Sequence, residues 1–197
     1  MLEAVDIYRE IGVQADLAAS LIDVGGVLKR KSQYGEALER YGNALEIYRS
    51  ISYRNGESDA LVHLGHARSQ LGRHREAIDL FLQALAIARE IGCREGELAE
   101  TVMIAGDHEE LADHDEALTG YRRALALVRT LGDTEREVGV LSGIGGVYRQ
   151  QGEYAVVLEN LESALEIEES LGVMDGIASV RTDLGLVYRA QGEYDQG

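Results

Sequence analysis

The chain repeats itself every 40 residues with no insertion or deletion. Leu21 opens LIDVGGVLKRKSQYGEALERYGNALEIYRS and Leu61 opens LVHLGHARSQLGRHREAIDLFLQALAIARE. Thr101 opens TVMIAGDHEELADHDEALTGYRRALALVRT, Leu141 opens LSGIGGVYRQQGEYAVVLENLESALEIEES, and Arg181 opens RTDLGLVYRAQGEYDQG. The initial MLEAVDIYREIG aligns with YGNALEIYRSIS from Tyr41. A strict period of this size is one supersecondary unit copied and stacked. No copy buries its apolar face alone, and at least about three are needed for a continuous core. Each residue is therefore read against its column before it is read as chemistry.

Each copy carries two helical patterns. In the second, apolar spacing and punctuation predict helices over about Asn55 to Leu71 and His74 to Ile91, closed by Gly72 and Gly92 in the left-handed conformation that ends helices. Ser32 and Ala112 replace the Gly72 column and predict strained turns. Ala84 aligns with Ala4, Ala44, Ala124 and Ala164, which predicts a tight helix crossing. Gly65 aligns with Gly25, Gly145 and Gly185, with Ala105 as the one alternative. Glycine inside a helix costs roughly 0.5–1 kcal/mol relative to alanine, so its recurrence implies a close approach by the paired helix. Proline is absent, as suits helices joined by short glycine turns.

The expected fold is all-α: a right-handed α-solenoid of antiparallel helix pairs with a 40-residue period and about ten helices. Residues 1–14 are expected to form the second helix of a truncated repeat. Segments 15–54, 55–94, 95–134 and 135–174 form helix pairs, and 175–197 the first helix of a truncated repeat.

The columns also dispose of the most reactive-looking stretch. His108 and His114 sit among Asp107, Glu109, Glu110, Asp113, Asp115 and Glu116. Yet His108 aligns with Leu28, Arg68, Tyr148 and Tyr188, and His114 with Tyr34, His74, Tyr154 and Tyr194, which are large amphipathic side chains at helix junctions. The two histidines straddle a turn instead of standing at i and i+4 as on zinc-binding helices. Asp113, with Glu116 three residues on, is expected to cap the following helix. No metal and no cofactor are expected. No phosphate loop, paired catalytic carboxylates or Ser–His–Asp order stands out in the sequence, so an enzyme is the least favoured class.

Leu64, Gly65, Gly72, Ala77, Phe81 and Ala84, and again Ile144, Gly145, Tyr148, Gly152, Tyr154 and Ala164, resemble the signature of the tetratricopeptide repeat family along the whole chain. The family's usual period is about 34 residues. The 40-residue spacing resembles the extended variety of kinesin light chains and bacterial signalling proteins. Val157 and Val156 depart from the pattern and predict looser or shifted packing of the fourth pair, and Arg68, in an aromatic column, is expected to snorkel. The resemblance implies a non-catalytic scaffold that binds a protein or peptide on a concave groove lined by the first helices.

That groove would carry Asp23, Gly26, Lys29 and Arg30 in the first copy and His63, His66, Ser69 and Gln70 in the second. Met103, Gly106, Glu109 and Glu110 follow in the third, Ser142, Gly146, Arg149 and Gln150 in the fourth, and Thr182, Asp183, Leu186 and Arg189 in the last. These columns vary while the core columns do not. Gly26, Gly106 and Gly146 are glycines beyond those the packing needs, and read as room for a bulky ligand side chain. His63 and His66 share a helical face, where a pH-sensitive contact is conceivable.

The net charge of −16 disfavours nucleic acid. The base-free acidic column run Glu159, Glu162, Glu166, Glu168 and Glu169 reads as a solvated outer face. No signal peptide or bilayer-length apolar run is read in the sequence, so no membrane partner is expected. Cys93 is the single cysteine, which excludes an intrachain disulfide and points to the cytoplasm. Two alternatives stand beside the scaffold. One is a ligand- or peptide-sensing regulatory module of a larger signalling or transcription-regulating protein. The other is a homo-oligomer assembling through its terminal helices, where Leu184 and Val187 would present apolar surface.

Overall fold

The computed structural model of the protein describes residues 2–172 and 174–191. Among them the elements are α1 (Leu2–Arg30), α2 (Tyr34–Ser50), α3 (Arg54–Gln70), α4 (His74–Glu90), α5 (Arg94–Glu110), α6 (His114–Leu131), α7 (Thr134–Gln151), α8 (Tyr154–Leu171) and α9 (Met174–Gln191), with no strand. Successive helices form antiparallel pairs. Val173, Tyr194 and the last turn column lie outside the described residues, and so does the side chain of Ala4.

The turns follow from chain chemistry. After α3 the backbone of Arg73 donates to the Arg68 carbonyl at 2.9 Å and that of Gly72 to Ser69 at 2.8 Å. This is the two-bond closure made when a left-handed residue ends a helix. Gly72 holds φ 70° and Gly152 φ 78°, while Ser32, Ser52 and Ala112 hold φ 60°, 55° and 58° without glycine's freedom. The strain expected at Ser32 and Ala112 is therefore present, and Ser52 shares it.

The sequence places a turn at Gly12, and the structure has none. Residues 2–30 form one helix, so nine helices occur among the described residues in place of about ten. A turn there would fold two helices together to bury apolar side chains. In the continuous helix Ile11, Val13 and Leu17 are instead 39%, 62% and 50% exposed, and Gly12 is helical. The continuous helix also overturns one reading of the sequence. Glu10–Arg30, 21 residues, is long and apolar enough to cross a membrane by length and composition. One face of it is committed elsewhere: Ala18 and Ile22 are buried against α2 and α3.

The chain divides into two compact units, 1–107 and 108–197, with the boundary inside α5. In the first, the core runs through Ala18, Ile22, Tyr41, Leu45, Tyr48, Leu61 and Leu64. In the second, Val138, Leu141, Leu161, Val180 and Val187 form the corresponding cluster. Ala44, Ala84, Ala124 and Ala164 are all fully buried, as a tight crossing requires. Leu184 and Val187 do not offer the terminal surface expected of them: Val187 is buried and Leu184 packs against the same cluster, leaving Leu186 exposed.

The interior glycines pair with aromatic rings. A Cβ on Gly65 would lie 2.6 Å from Phe81 Cε1, and one on Gly25 would collide with the Tyr41 ring. In the fourth pair Leu161 stands in the aromatic column, and part of the slack is taken up by Val157, whose Cγ1 is 3.8 Å from the Cβ position of Gly145. Val157 is buried where Ala37, Ala77 and Ala117 stand in other copies. One larger residue thus only partly compensates for one smaller, and Gly145 keeps room for a methyl that Gly25 and Gly65 lack, in line with the looser packing expected of the fourth pair.

Ion pairs join each second helix to the next first helix. Arg49 Nε lies 2.9 Å from Glu57, Arg89 Nε 3.0 Å from Glu97 and Arg129 Nε 2.7 Å from Glu137. Burial pushes the Glu57 carboxyl up, but Arg49 and Arg54 outweigh it and hold the group below its ordinary range. At the α8–α9 junction Glu169 and Ile177 replace both members of the pair, and Glu169 accepts from Arg181 Nη2 at 3.0 Å, with both side chains exposed.

Candidate functional site

All the residues proposed for the groove lie on first helices, and none is in the buried core. In the first unit they converge around two histidines. The His63 ring stacks on Tyr41 with centroids 5.1 Å apart, and His66 meets Phe81 edge-on at 5.3 Å. Both rings are half-buried. Burial lowers the pKa of His63, opposed by Asp59 and helped by Lys29; burial, then Lys29 and His63, lower that of His66. His63 Nε2 lies 3.5 Å from Asp59, and its Nδ1 is buried with no hydrogen-bond partner. Asp23, Lys29, His63 and His66 thus share one electrostatic neighbourhood. Ser69 is turned away from it, donating to Asp107 at 2.6 Å.

In the second unit Glu109, Gly146 and Gln150 come together. Tyr121 Oη donates to Glu109 Oε2 at 2.9 Å, and Gln150 Nε2 to Oε1 at 3.4 Å. Burial, then the charge and hydrogen bond of Glu109, push the Tyr121 hydroxyl up, so it remains a donor. The room expected at Gly146 is already taken, because a Cβ there would lie 2.6 Å from Glu109 Oε1. At Gly26 the nearest group is the Arg30 guanidinium, 3.8 Å away. Arg149, Thr182, Leu186 and Arg189 are exposed and stand apart from this network, the Thr182 hydroxyl bonding to the Ala178 carbonyl. Sequence reasoning missed Gly143, whose Cβ position is 2.5 Å from the Tyr121 ring. It stands in the column of Asp23, His63 and Met103.

The histidine-rich stretch behaves as a junction. His108 Nδ1 lies 3.3 Å from Asp113 Oδ2. That contact occupies Asp113, which makes no side-chain cap to α6, so the expected capping box does not form. Its equivalent Glu153 makes no side-chain cap either, whereas in a different column, before the first helix α7, Asp133 accepts from the Arg136 backbone N–H at 3.0 Å. Arg68 reaches Glu76 at 3.2 Å. No group of three or more His, Cys, Asp or Glu positioned to hold a metal occurs among the described residues.

Two acids that the sequence reading passed over stand in core columns of α5. Asp107 aligns with the buried Ala67, Val147 and Val187, and Glu100 with the buried Ala60, Val140 and Val180; in the first copy the same columns hold the exposed Val27 and Ser20. Asp107 Oδ1 accepts from Ser69 and lies 2.7 Å from His74 Nδ1. This brings serine, histidine and aspartate together, but the serine proton is held by the aspartate. A nucleophilic triad needs the serine on the imidazole, so the trio positions α5 and has no activated nucleophile. Glu100 is 5% exposed and its Oε2 has no partner. The signal that would have found both is an acidic residue in a column whose other members are apolar, with Ser20 of the first copy as the one exception.

The sequence profile described as tetratricopeptide repeat matches residues 2–90 and 97–170. The chain belongs to the tetratricopeptide repeat family. Among solved structures, this tetratricopeptide array is similar to BtubC of P. vanneervenii, at 22% identity and TM-score 0.81 over 98% of this chain and 80% of that one. It is similar to a Podosopora anserina putative kinesin light chain with nearly identical repeats, at 18% identity and TM-score 0.77 over 91% and 89%. It is also similar to a Rap protein complexed with Competence and Sporulation Factor, at 18% identity and TM-score 0.73. That match covers 89% of this chain and 49% of the Rap chain. These likenesses show the shared fold of the tetratricopeptide array. Among curated proteins no significant match is found.

Proposed function

We propose that the protein is a non-catalytic, cytoplasmic scaffold that binds a protein or peptide segment on the faces of its first helices. Membership of the tetratricopeptide repeat family supports the general role, and the details rest on the site. The observation that carries the reading is the His63–Tyr41 and His66–Phe81 floor of the first unit. The two imidazoles there are half-buried on top of the fully buried core rings of Tyr41 and Phe81, and His63 Nδ1 has an unused hydrogen-bonding capacity. Desolvated, rigid, amphipathic rings of this kind anchor partners. A reading as a regulatory sensing module has one specific support: the Rap protein of similar fold was solved with a bound factor.

The test compares partner capture by the wild type, by His63→Ala/His66→Ala and, separately, by Arg149→Glu/Gln150→Ala, with unfolding midpoints measured alongside. Loss of a partner in a variant that still melts as the wild type supports the first-helix faces. A partner retained by both variants overturns them as the binding surface.

A further inference from the structure

A pocket of about 310 Å³ lies within the first unit between α3 and α5, over the end of α4. The repeat explains why it opens here. One junction earlier, Tyr48 packs on Gly56, with a Cβ position 2.5 Å from the ring, and meets Tyr53 at 5.6 Å between centroids. At the pocket the same columns hold Ala88, Gly96 and Cys93. Two aromatic rings are replaced by a methyl and a thiol, and their volume is left open.

Into this space the chain places Glu100, where Ala60, Val140 and Val180 fill the core in other copies. It is 5% exposed, its Oε2 has no partner, and it lies 3.4 Å from the Cβ position of Gly96 on the pocket wall. Burial pushes its carboxyl above the ordinary range, opposed only by a hydrogen bond from its own backbone. The other buried acid of α5, Asp107, has Ser69 and His74. Glu100 has no such provision, and a buried acceptor left unmade is destabilising. A second carboxylate, Asp59, lines the same pocket, and Val62, Ala88 and Ile91 supply apolar wall. An apolar ligand would leave Glu100 unsatisfied. A long alkyl stem ending in a positive charge satisfies both wall and acid.

We propose that this pocket binds the cationic side chain of a lysine or arginine in a partner segment, with Glu100 as its counter-ion and Asp59 beside it. The volume is at the lower end for small-molecule sites and suits one side chain. The proposal rests on the scaffold reading and names the chemistry of one contact. Asp59, which lies 3.5 Å from His63, joins the pocket to the histidine floor.

Cys93, exposed, lines the pocket and is the single cysteine of the chain, so its alkylation by neutral iodoacetamide reports occupancy. The probes are the N-acetyl methylamides of arginine, lysine and norleucine and the free amine agmatine, at matched ionic strength. The arginine or lysine derivative is expected to protect Cys93 at about tenfold lower concentration than the norleucine one, one charge-assisted contact's worth. Glu100→Gln is expected to abolish that preference. Protection by agmatine alone, equal protection by norleucine, or a preference that survives Glu100→Gln overturns the proposal. Glu100→Val supplies a second readout: it restores the column residue and is expected to raise the melting temperature, whereas a fall would make Glu100 a structural residue and overturn the site. Because the assay needs no partner, its failure is distinct from failure of the scaffold reading. Partner capture lost in His63→Ala/His66→Ala, with no Cys93 protection in the wild type, would remove the pocket and keep the scaffold.

Discussion

Phe81 lies across Gly65 so closely that a Cβ on the glycine would fall 2.6 Å from its ring, whereas a Cβ on Gly145 would meet nothing nearer than Val157 Cγ1 at 3.8 Å. One column thus contains two different glycines. Alanine relieves the backbone entropy of a helical glycine by roughly 0.5–1 kcal/mol. Overpacking a close crossing costs about 1–3 kcal/mol. Gly65→Ala is expected to lower stability by about 1–2 kcal/mol, while Gly145→Ala raises it by about 0.5–1 kcal/mol. Urea unfolding of both variants decides this, and equal shifts would contradict the aromatic-packing account.

The Glu57 clasp gives a pH dependence. Its folded pKa lies below the ordinary carboxylate value of 4.5 because Arg49 and Arg54 outweigh burial. The unfolded chain therefore takes up the proton first as pH falls. The stabilisation is complete above 4.5 and disappears as pH drops through the lowered folded value. Glu57→Gln should flatten the acid limb of a stability–pH curve. An unchanged limb would show that the pair contributes nothing.

Ala112 closes α5 at φ 58°. A non-glycine residue in this region is disfavoured by roughly 1–2 kcal/mol. Ala112→Gly should raise stability by about 1 kcal/mol, and Gly132→Ala, at φ 69°, should lower it comparably. Thermal melts of the two variants would reveal the opposed signs.

His63 and His66 should titrate by NMR below the ordinary value of 6.5. Both are neutral at pH 7, and because their folded pKa values are lowered, they weaken the fold only as pH falls below 6.5. Asp59 opposes the lowering at His63. Asp59→Asn should therefore move the His63 midpoint further down and leave that of His66 nearly in place. A rise at His63 would contradict the assignment.

Much of this architecture was legible because a repeat states its rules several times. The small columns Ala84 and Gly65, the turns at Gly72 and Gly92, and the strain at Ala112 are all visible by aligning the chain with itself. The continuous α1 was not, since Gly12 matches a turn column and nothing in the columns marks it as helical. Nor was the use made of side-chain space in the groove. Gly146 reads as room until Glu109 is seen to fill it. Asp113 reads as a cap until His108 is seen to engage it. Those outcomes depend on which neighbour arrives first at a shared acceptor or gap, and columns do not encode it. Glu100 was legible in principle as a carboxylate in an apolar column, but surface acids are so abundant in this chain that one more draws no notice without burial.

An array held by neighbour-to-neighbour contacts comes apart at its weakest joint. Three joints carry an Arg–Glu clasp on a part-buried glutamate, whereas the one between α8 and α9 has, among the described residues, only the exposed pair of Glu169 with Arg181, at 3.0 Å, which is worth little. Amide protection should therefore fall stepwise at that joint, with α9 opening as a unit at a free energy below that of global unfolding. Added salt screens exposed charges more than part-buried ones and should loosen the Glu169–Arg181 joint before the clasped ones, so that a molecule graded along its length in dilute buffer becomes more steeply graded in brine.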